Sequence, residues 1–230
     1  MNRHERRAAK AMSKARPIER AVAVHEAGHA VGRFLTAARL GYSSDDAISH
    51  IEVHAAPVSQ GRASFDGQAD MRVQATTFGP MFSRALEDFI RTHAVSGDPP
   101  GEIPLNDVAP ILAKARAAGL DVDDWVRAKA LSNILGPMAE AKLLDRPFEE
   151  VWNGYGSEGD MMDTVKAGHL AGLTTQQIED LMDEAVTAAR QEVARPEVWR
   201  AILALADRLK PGRMNGRTAG AIISRAINGP

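Results

Sequence analysis

The sequence contains no cysteine among its 230 residues. This absence excludes disulfide bonds and every metal site built on thiolate ligands, so a metal ion would have to be held by histidine, aspartate or glutamate. It also fits a reducing compartment, where folding does not depend on disulfides. The seven histidines are therefore the natural place to look for a metal site.

An excess of charge and long apolar runs are also lacking. The formal net charge is −2, which gives no overall electrostatic argument for a nucleic-acid-binding protein. No segment approaches the roughly 20 apolar residues of a membrane span. Hydrophobic residues make up 44% and charged residues 25%, an ordinary composition for a globular protein. We therefore expect a single domain over residues 17–230 and no role for a membrane.

The first 16 residues differ from the rest because they are strongly basic. They lack the apolar core of a secretory signal, which favours a flexible leader and a cytoplasmic location. An arm that contacts nucleic acid or a protein partner is the alternative. The basic residues are Arg3, Arg6, Arg7, Lys10, Lys14 and Arg16.

A strongly patterned helix is predicted between Pro17 and Gly41. Proline suits the first position of a helix and glycine suits its C-terminal end. Apolar residues recur at helical spacing between them, over residues 18–35. The middle of this helix, residues 25–29, reads HEAGH and is expected to face the core.

The HEAGH segment has the HExxH pattern of zinc hydrolases. His25 and His29 are four residues apart, so both imidazoles can reach one metal ion from the same helix face. Glu26 would lie beside the open position of that metal, where it can accept a proton from bound water. The pattern therefore predicts a hydrolytic metal centre with Glu26 as the general base.

The remaining pattern is mostly helical with one small β element. Residues 49–55 alternate apolar and polar side chains and predict a half-buried strand, with residues 62–65 as its hairpin partner. An exposed edge strand there could align an extended peptide by backbone pairing. Further helices are predicted over residues 77–94, from 106 or 107 to 119, over 123–144 with a kink or restart at 136–137, from 160, over 174–195, from 196, and from 215 or 218.

A catalytic metal usually needs a third protein ligand. The extended pattern HExxHxxGxxH is followed as far as Gly32. Its third histidine would fall on Leu35, which cannot bind a metal. The third ligand must therefore come from elsewhere in the chain.

Spacing leaves that ligand open. His50 and His54 are most simply surface residues of the predicted strand, and His93 suits a helix end, where it complements the dipole. Asp160 is the stronger candidate, although an aspartate at a helix start is commonly a cap. His169 follows it by about two and a half turns, which suits a residue beside a ligand better than a ligand itself.

Three segments resemble the FtsH-type zinc metallopeptidases. Residues 24–31 (VHEAGHAV) resemble the zinc helix of that family, residues 135–144 (LGPMAEAKLL) resemble its second motif helix, and residues 156–164 (GSEGDMMDT) resemble its third motif. The resemblance runs in the same order from residue 18 to about residue 228. It implies the fold of the family's peptidase domain, and it implies that Asp160 is the third zinc ligand.

The chain also departs from that family. Residues 67–124 form a predicted helical insertion between the hairpin and the second motif. Pro137 stands where an arginine-like residue is usual, and Gly159 stands where asparagine is usual. No GxxxxGK[ST] phosphate loop and no membrane span accompany the peptidase motifs. The chain is therefore expected to be a free-standing peptidase that uses no ATP.

The predicted activity is zinc-dependent hydrolysis of flexible or unfolded polypeptide. His25, His29 and Asp160 would hold Zn²⁺, with Glu158 and Asp163 as other candidate ligands. A homo-oligomer is compatible with the resemblance, because the family members are hexamers. Glu140 and His169 are candidate hydrogen-bond partners of the ligands, and Glu140 could equally be a solvated surface residue.

Two other functions fit the same pattern. One is a non-catalytic metal-binding module that binds a protein partner, although such a module has no need of Glu26. The other is a dedicated protease that cleaves one regulatory protein.

Overall fold

The computed structural model describes residues 19–64, 67–94, 105–154 and 157–229, with the backbone alone for residues 55–64, 67–73, 105 and 106. The protein is mainly helical with one small antiparallel sheet, as predicted. None of the described helices combines the length and the apolar character needed to cross a bilayer. The elements are α1 (Arg20–Thr36), β1 (His50–Ser64), β2 (Gly67–Phe78), α2 (Arg84–His93), α3 (Leu105–Ala117), α4 (Val122–Leu144), α5 (Phe148–Trp152), α6 (Glu158–Leu170), α7 (Thr175–Ala194), α8 (Pro196–Ala206), β3 (Gly212–Asn215) and α9 (Gly216–Asn228).

The sheet has the strand order β2-β1-β3, and both strand pairs are antiparallel. The predicted hairpin partner is wrong: residues 62–64 belong to β1 itself, which pairs with β2, and residue 65 lies outside the described residues. β1 continues past Pro57, a residue without a backbone N–H. The pairing with β2 shifts register between Val53 and Val58, the interval that contains Pro57. An irregularity of this kind tolerates a residue that has no N–H to donate.

The segment 67–124, predicted as a helical insertion, begins with a strand and continues with helices. The helix expected over residues 77–94 starts only at Arg84. The Gly-Pro pair at residues 79–80 interrupts any helix there, because proline cannot donate a helical hydrogen bond and disfavours helical backbone in the residue before it. Thr77 is therefore a strand residue at the end of β2.

The helix α1 lies at the centre of the fold, and every residue from Ala23 to Gly32 is buried. It packs against α4, α8 and β2. Glycines allow α1 and α4 to approach closely: a Cβ on Gly28 would lie 2.6 Å from the Leu135 carbonyl oxygen. Likewise, a Cβ on Gly136 would lie 2.5 Å from His29 Cε1. The backbone of α4 is thereby brought directly against one of the two histidines.

Replacing Gly28 by alanine is expected to lower the free energy of unfolding by about 1–3 kcal/mol, the usual cost of overpacking a core. In an unconstrained helix the same change would stabilise the protein by about 1 kcal/mol, so the sign is diagnostic. Urea unfolding of the metal-free protein, followed by circular dichroism, measures the difference. Alanine at Lys166, an exposed residue of α6, is the control. A Gly28→Ala variant as stable as the wild type would contradict the close packing of the two helices.

Candidate metal centre

Two histidines occupy neighbouring turns on the buried α1. The ring centroids of His25 and His29 are 4.7 Å apart, and the ring planes meet at 75°. Their side chains are only 9% and 11% exposed. The helical placement that the HExxH spacing predicted for both residues is confirmed.

The helix α6 brings Asp160 to the same place. Asp160 Oδ2 lies 3.2 Å from His25 Nε2 and 3.3 Å from His29 Nε2. The Thr164 hydroxyl donates to the Asp160 carbonyl at 2.8 Å, and the Asn133 amide of α4 donates to the same oxygen at 3.4 Å. One ligand atom from each of the three side chains lies within 4.8 Å of the others. The two histidines and Asp160 therefore form a group that could hold a metal ion.

The outer ring nitrogens of both histidines have oxygen partners. His25 Nδ1 lies 2.7 Å from Glu140 Oε2, and His29 Nδ1 lies 2.8 Å from the Ser132 carbonyl oxygen. When the rings are neutral, each Nδ1 therefore carries the proton and each Nε2 presents a lone pair to the centre. This donor set suits a divalent metal. The sequence predicts Glu140 as such a partner but not Ser132, because a backbone acceptor has no signature in the sequence.

Glutamine at position 140 is expected to weaken binding of a divalent metal by about 10–100-fold, the usual effect of losing such a partner. The substitution keeps the size of the side chain and removes the negative charge that makes His25 a better electron donor. Competition against a chromophoric chelator measures the affinity. Glu150→Gln, which changes an exposed ion pair with Arg146, is the control. Equal affinity in the Glu140→Gln variant and the wild type would rule out this role.

In the metal-free protein, the interactions among His25, His29 and Asp160 shift the pKa values of His25 and Asp160. Burial acts to lower the pKa of His25, but its hydrogen bonds with Asp160 and Glu140 and the negative charges of Asp160 and Glu26 raise that pKa to about 10. Burial acts to raise the pKa of Asp160, but the charge of His29 and the hydrogen bonds with both histidines hold it well below its ordinary value. A metal ion entering the centre must therefore displace a proton from His25.

The strand β2 supplies a partner for Glu26. The Thr77 hydroxyl lies 2.8 Å from Glu26 Oε2 and 3.1 Å from the Glu26 carbonyl oxygen, and it can donate to either. Both residues are buried. Sequence reasoning missed Thr77 because it assigned that residue to a helix. The Gly-Pro pair at residues 79–80, which interrupts any helix there, is the sequence signal that could have excluded the helix.

The metal group and Glu26 line one cleft of ≈ 630 Å³. α1, β2, α4 and α6 all contribute to its walls. Residues 75–77 of β2 line one part of the cleft. Arg33 and Lys129 add positive charge to the wall, and Asp163 adds negative charge. The cleft is thus a polar, charged space with a candidate metal centre and a carboxylate close to it.

The structure leaves several of the candidate residues outside the cleft. His169 is exposed in the last turn of α6, and the nine residues that separate it from Asp160 correspond to about 13.5 Å of helix rise. Asp163 lines the cleft, but it is not in the group of described residues that could hold a metal. The candidates that do not line the cleft are His50, His54, His93, Glu140, Glu158 and His169, although Glu140 contacts His25 from behind.

Comparisons with protein-family models, with curated proteins and with solved structures gave no match.

Proposed function

We propose that this protein is a zinc-dependent endopeptidase that hydrolyses flexible or unfolded polypeptide without ATP. The observation that carries the proposal is the meeting of four side chains in one cleft: His25, His29 and Asp160 as a metal-binding group, with Glu26 beside them. A site that served only to bind metal would need the three ligands and not the buried carboxylate of Glu26.

The ligand separations support zinc as the metal. Tetrahedral zinc with bonds of about 2.0–2.1 Å places its ligand atoms about 3.3 Å apart. The distances from Asp160 Oδ2 to His25 Nε2 and His29 Nε2 are 3.2 and 3.3 Å. Two imidazoles and one carboxylate also leave the fourth position for water, as catalytic zinc sites require.

Each group in the cleft then has a separate role in hydrolysis. When bound, zinc supplies an activated water molecule and polarises the carbonyl of the scissile bond. Glu26 accepts a proton from that water and delivers it to the amine nitrogen as the carbon–nitrogen bond breaks. Thr77 holds the Glu26 carboxylate in place through its hydroxyl group. The water oxygen ends on the new carboxyl group, and the proton ends on the new amine.

The position of β2 supports the proposal that the substrate is a polypeptide. It is an outer strand of the described sheet, and residues 75–77 line the cleft. An extended peptide can pair with such an edge through backbone hydrogen bonds, which recognise no particular side chain. A chain must be unfolded locally to adopt this conformation, so we expect flexible segments to be cleaved and compact domains to resist.

We also propose that the fold belongs to the peptidase domain of the FtsH-type enzymes. The proposal rests on the three segments that resemble that family. Residues 24–31 lie on α1, residues 135–144 lie on α4, and residues 157–164 span the start of α6. The residues of these segments that the family resemblance assigns to zinc binding meet in the cleft.

Removal of the metal is expected to abolish peptidase activity. Cleavage of unfolded casein should stop when the protein is treated with a strong chelator and then dialysed, because no other group in the proposed mechanism activates water. About one equivalent of Zn²⁺ per chain should restore it, whereas Mg²⁺, which prefers oxygen ligands, should not. Gel electrophoresis and mass spectrometry of the products give the readout. Cleavage that persists without metal would contradict the proposal.

A further inference from the structure

The helix α1 and the strand β2 run in the same direction along the cleft. The Thr77 hydroxyl contacts the Glu26 carbonyl at 3.1 Å, and Arg33 Nη1 donates to the Pro80 carbonyl at 3.3 Å. The seven residues from Glu26 to Arg33 rise about 10.5 Å along α1. Over the same interval the chain passes from Thr77 through the end of β2 at Phe78 to Pro80, so the two contacts follow each other in the same direction on both elements. Arg33 therefore lies about 10 Å beyond Glu26 along α1, beside the residues that follow β2.

Arg33 is a partly buried cation in the wall of this cleft. It follows His29 by one helical turn, and its guanidinium lies against Gly79, where a Cβ would come within 2.9 Å of Nη1. Burial lowers the pKa of Arg33 from its ordinary value, while the negative charges of Asp163, Glu26 and Asp160 act to raise it. The guanidinium nevertheless stays charged, because its ordinary pKa is so high.

The hydrogen-bonding capacity of this guanidinium is largely unused within the described part of the chain. It has five N–H groups, and the Pro80 carbonyl is its one hydrogen-bond acceptor among the described residues. No carboxylate of those residues lies within ion-pair distance of it, although Asp163 acts on it electrostatically. A desolvated cation is costly unless an anion pairs with it, so a ligand that supplies the anion would be stabilised there.

We infer that Arg33 binds a carboxylate of the polypeptide substrate and thereby determines which bond is cleaved. This inference rests on the proposed peptidase function. An extended peptide advances about 3.3 Å per residue, so the carboxylate would belong to a residue about three positions from the scissile bond. It is either an acidic side chain or the terminal carboxylate of the substrate, and both offer the planar pair of oxygens that a guanidinium binds with two hydrogen bonds.

Other charges in the cleft modify this preference without removing it. Lys129 of α4 lines the same cleft and adds a second cation. Glu26, Asp160 and Asp163 oppose an incoming carboxylate, but a divalent metal on the histidines would more than neutralise Asp160. The repulsion from Glu26 also falls with the distance of about 10 Å that separates it from Arg33 along α1.

The test uses two matched sets of labelled dodecapeptides made of alanine, glycine and leucine. In the first set, a single glutamate occupies a different position in each peptide. In the second set, a single glutamine occupies the same positions. Every peptide is made with a free and with an amidated C-terminus. The zinc-loaded wild type is assayed for cleavage, with the cut bond identified by mass spectrometry. Fluorescence anisotropy measures binding of the same peptides to the zinc-loaded Glu26→Gln variant, which reports recognition separately from hydrolysis.

The wild type is expected to favour a carboxylate about three residues from the cut bond by about tenfold or more, as charged hydrogen bonds usually do. The preference is measured as glutamate over glutamine and as a free over an amidated C-terminus. Arg33→Met should abolish the preference, and Arg33→Lys should retain part of it. Arg91→Met, which changes an exposed arginine of α2, is the control. An Arg33-dependent preference for the free over the amidated C-terminus assigns the carboxylate to the C-terminus, and an Arg33-dependent preference for glutamate over glutamine assigns it to a side chain.

Two results would overturn the inference. One is the absence, in both cleavage and binding, of any preference for glutamate over glutamine and of any preference for a free over an amidated C-terminus. The other is such a preference that survives in Arg33→Met. Cleavage without a preference would leave the proposed peptidase function standing. Binding with an Arg33-dependent preference but no cleavage by the wild type would reject the peptidase function and keep the carboxylate site.

Discussion

The Glu26→Gln variant is expected to bind zinc as the wild type does and to cleave unfolded casein about 10²–10⁴-fold more slowly, the usual contribution of a general base. Glutamine has the same shape as glutamate, and its amide oxygen can still accept the hydrogen bond from Thr77. It cannot take a proton from water. The three metal-binding side chains are unchanged, so the metal content should stay at one ion per chain.

Two measurements on each protein separate catalysis from metal binding. Metal content is measured by atomic absorption after gel filtration, and cleavage is measured as the initial rate of release of casein fragments. Glu158→Gln is the control, because Glu158 lies in the first turn of α6 but outside the cleft, and it should keep both properties. Equal rates in Glu26→Gln and the wild type would remove Glu26 from the mechanism. Failure of the wild type to cleave casein would point to a dedicated substrate or to the non-catalytic module.

Alanine at Asp160 is expected to weaken zinc binding by more than about 100-fold, beyond the effect usually seen when a partner of a ligand is lost. Asp160 Oδ2 is the atom that completes the group with the two histidine Nε2 atoms. Without it, two neutral imidazoles would have to hold the metal alone, and the negative charge that offsets the metal would be lost. Activity should be lost in the same variant.

The matched control for this variant is Asp163→Ala. Asp163 is on the same helix and lines the same cleft, but it is not in the metal-binding group. Zinc affinity should therefore change little in the control, as measured by competition with a chelator. If Asp163→Ala lost zinc and Asp160→Ala retained it, the third ligand would be reassigned and the resemblance to the FtsH-type motif would fail at its central residue.

The parts of the site that sequence reasoning placed correctly are local. His25 and His29 share one helix because apolar residues recur at helical spacing on both sides of them, and α1 has this structure. The helix predicted over residues 174–195 is also present, and it begins with a capping box formed by Thr174 and Gln177. Such features depend on residues three or four apart, so the sequence contains all the information that they need.

The parts that sequence reasoning missed or left open depend on distant contacts. His25 and Asp160 are 135 positions apart, and periodicity alone could not join them. Thr77 reaches Glu26 only because β2 lies against α1, whereas the apolar spacing that continues through residues 81–90 predicts a helix at that position. The sequence predicts His169 beside the ligands because it shares a helix with Asp160, but the rise of that helix places it away from the cleft.

The sequence by itself therefore determined the chemical types present in this protein. It placed two histidines and a glutamate on one helix, excluded thiolate ligands, and predicted a mainly helical fold. Only the tertiary structure decided which distant groups complete the centre. The close approach of α4 at Gly28 and Gly136 brings Glu140 and the Ser132 carbonyl to the two rings, and α6 brings the carboxylate. The physical reason is that a metal site requires atoms within a few ångströms, and helix packing sets such distances between segments that are far apart in sequence.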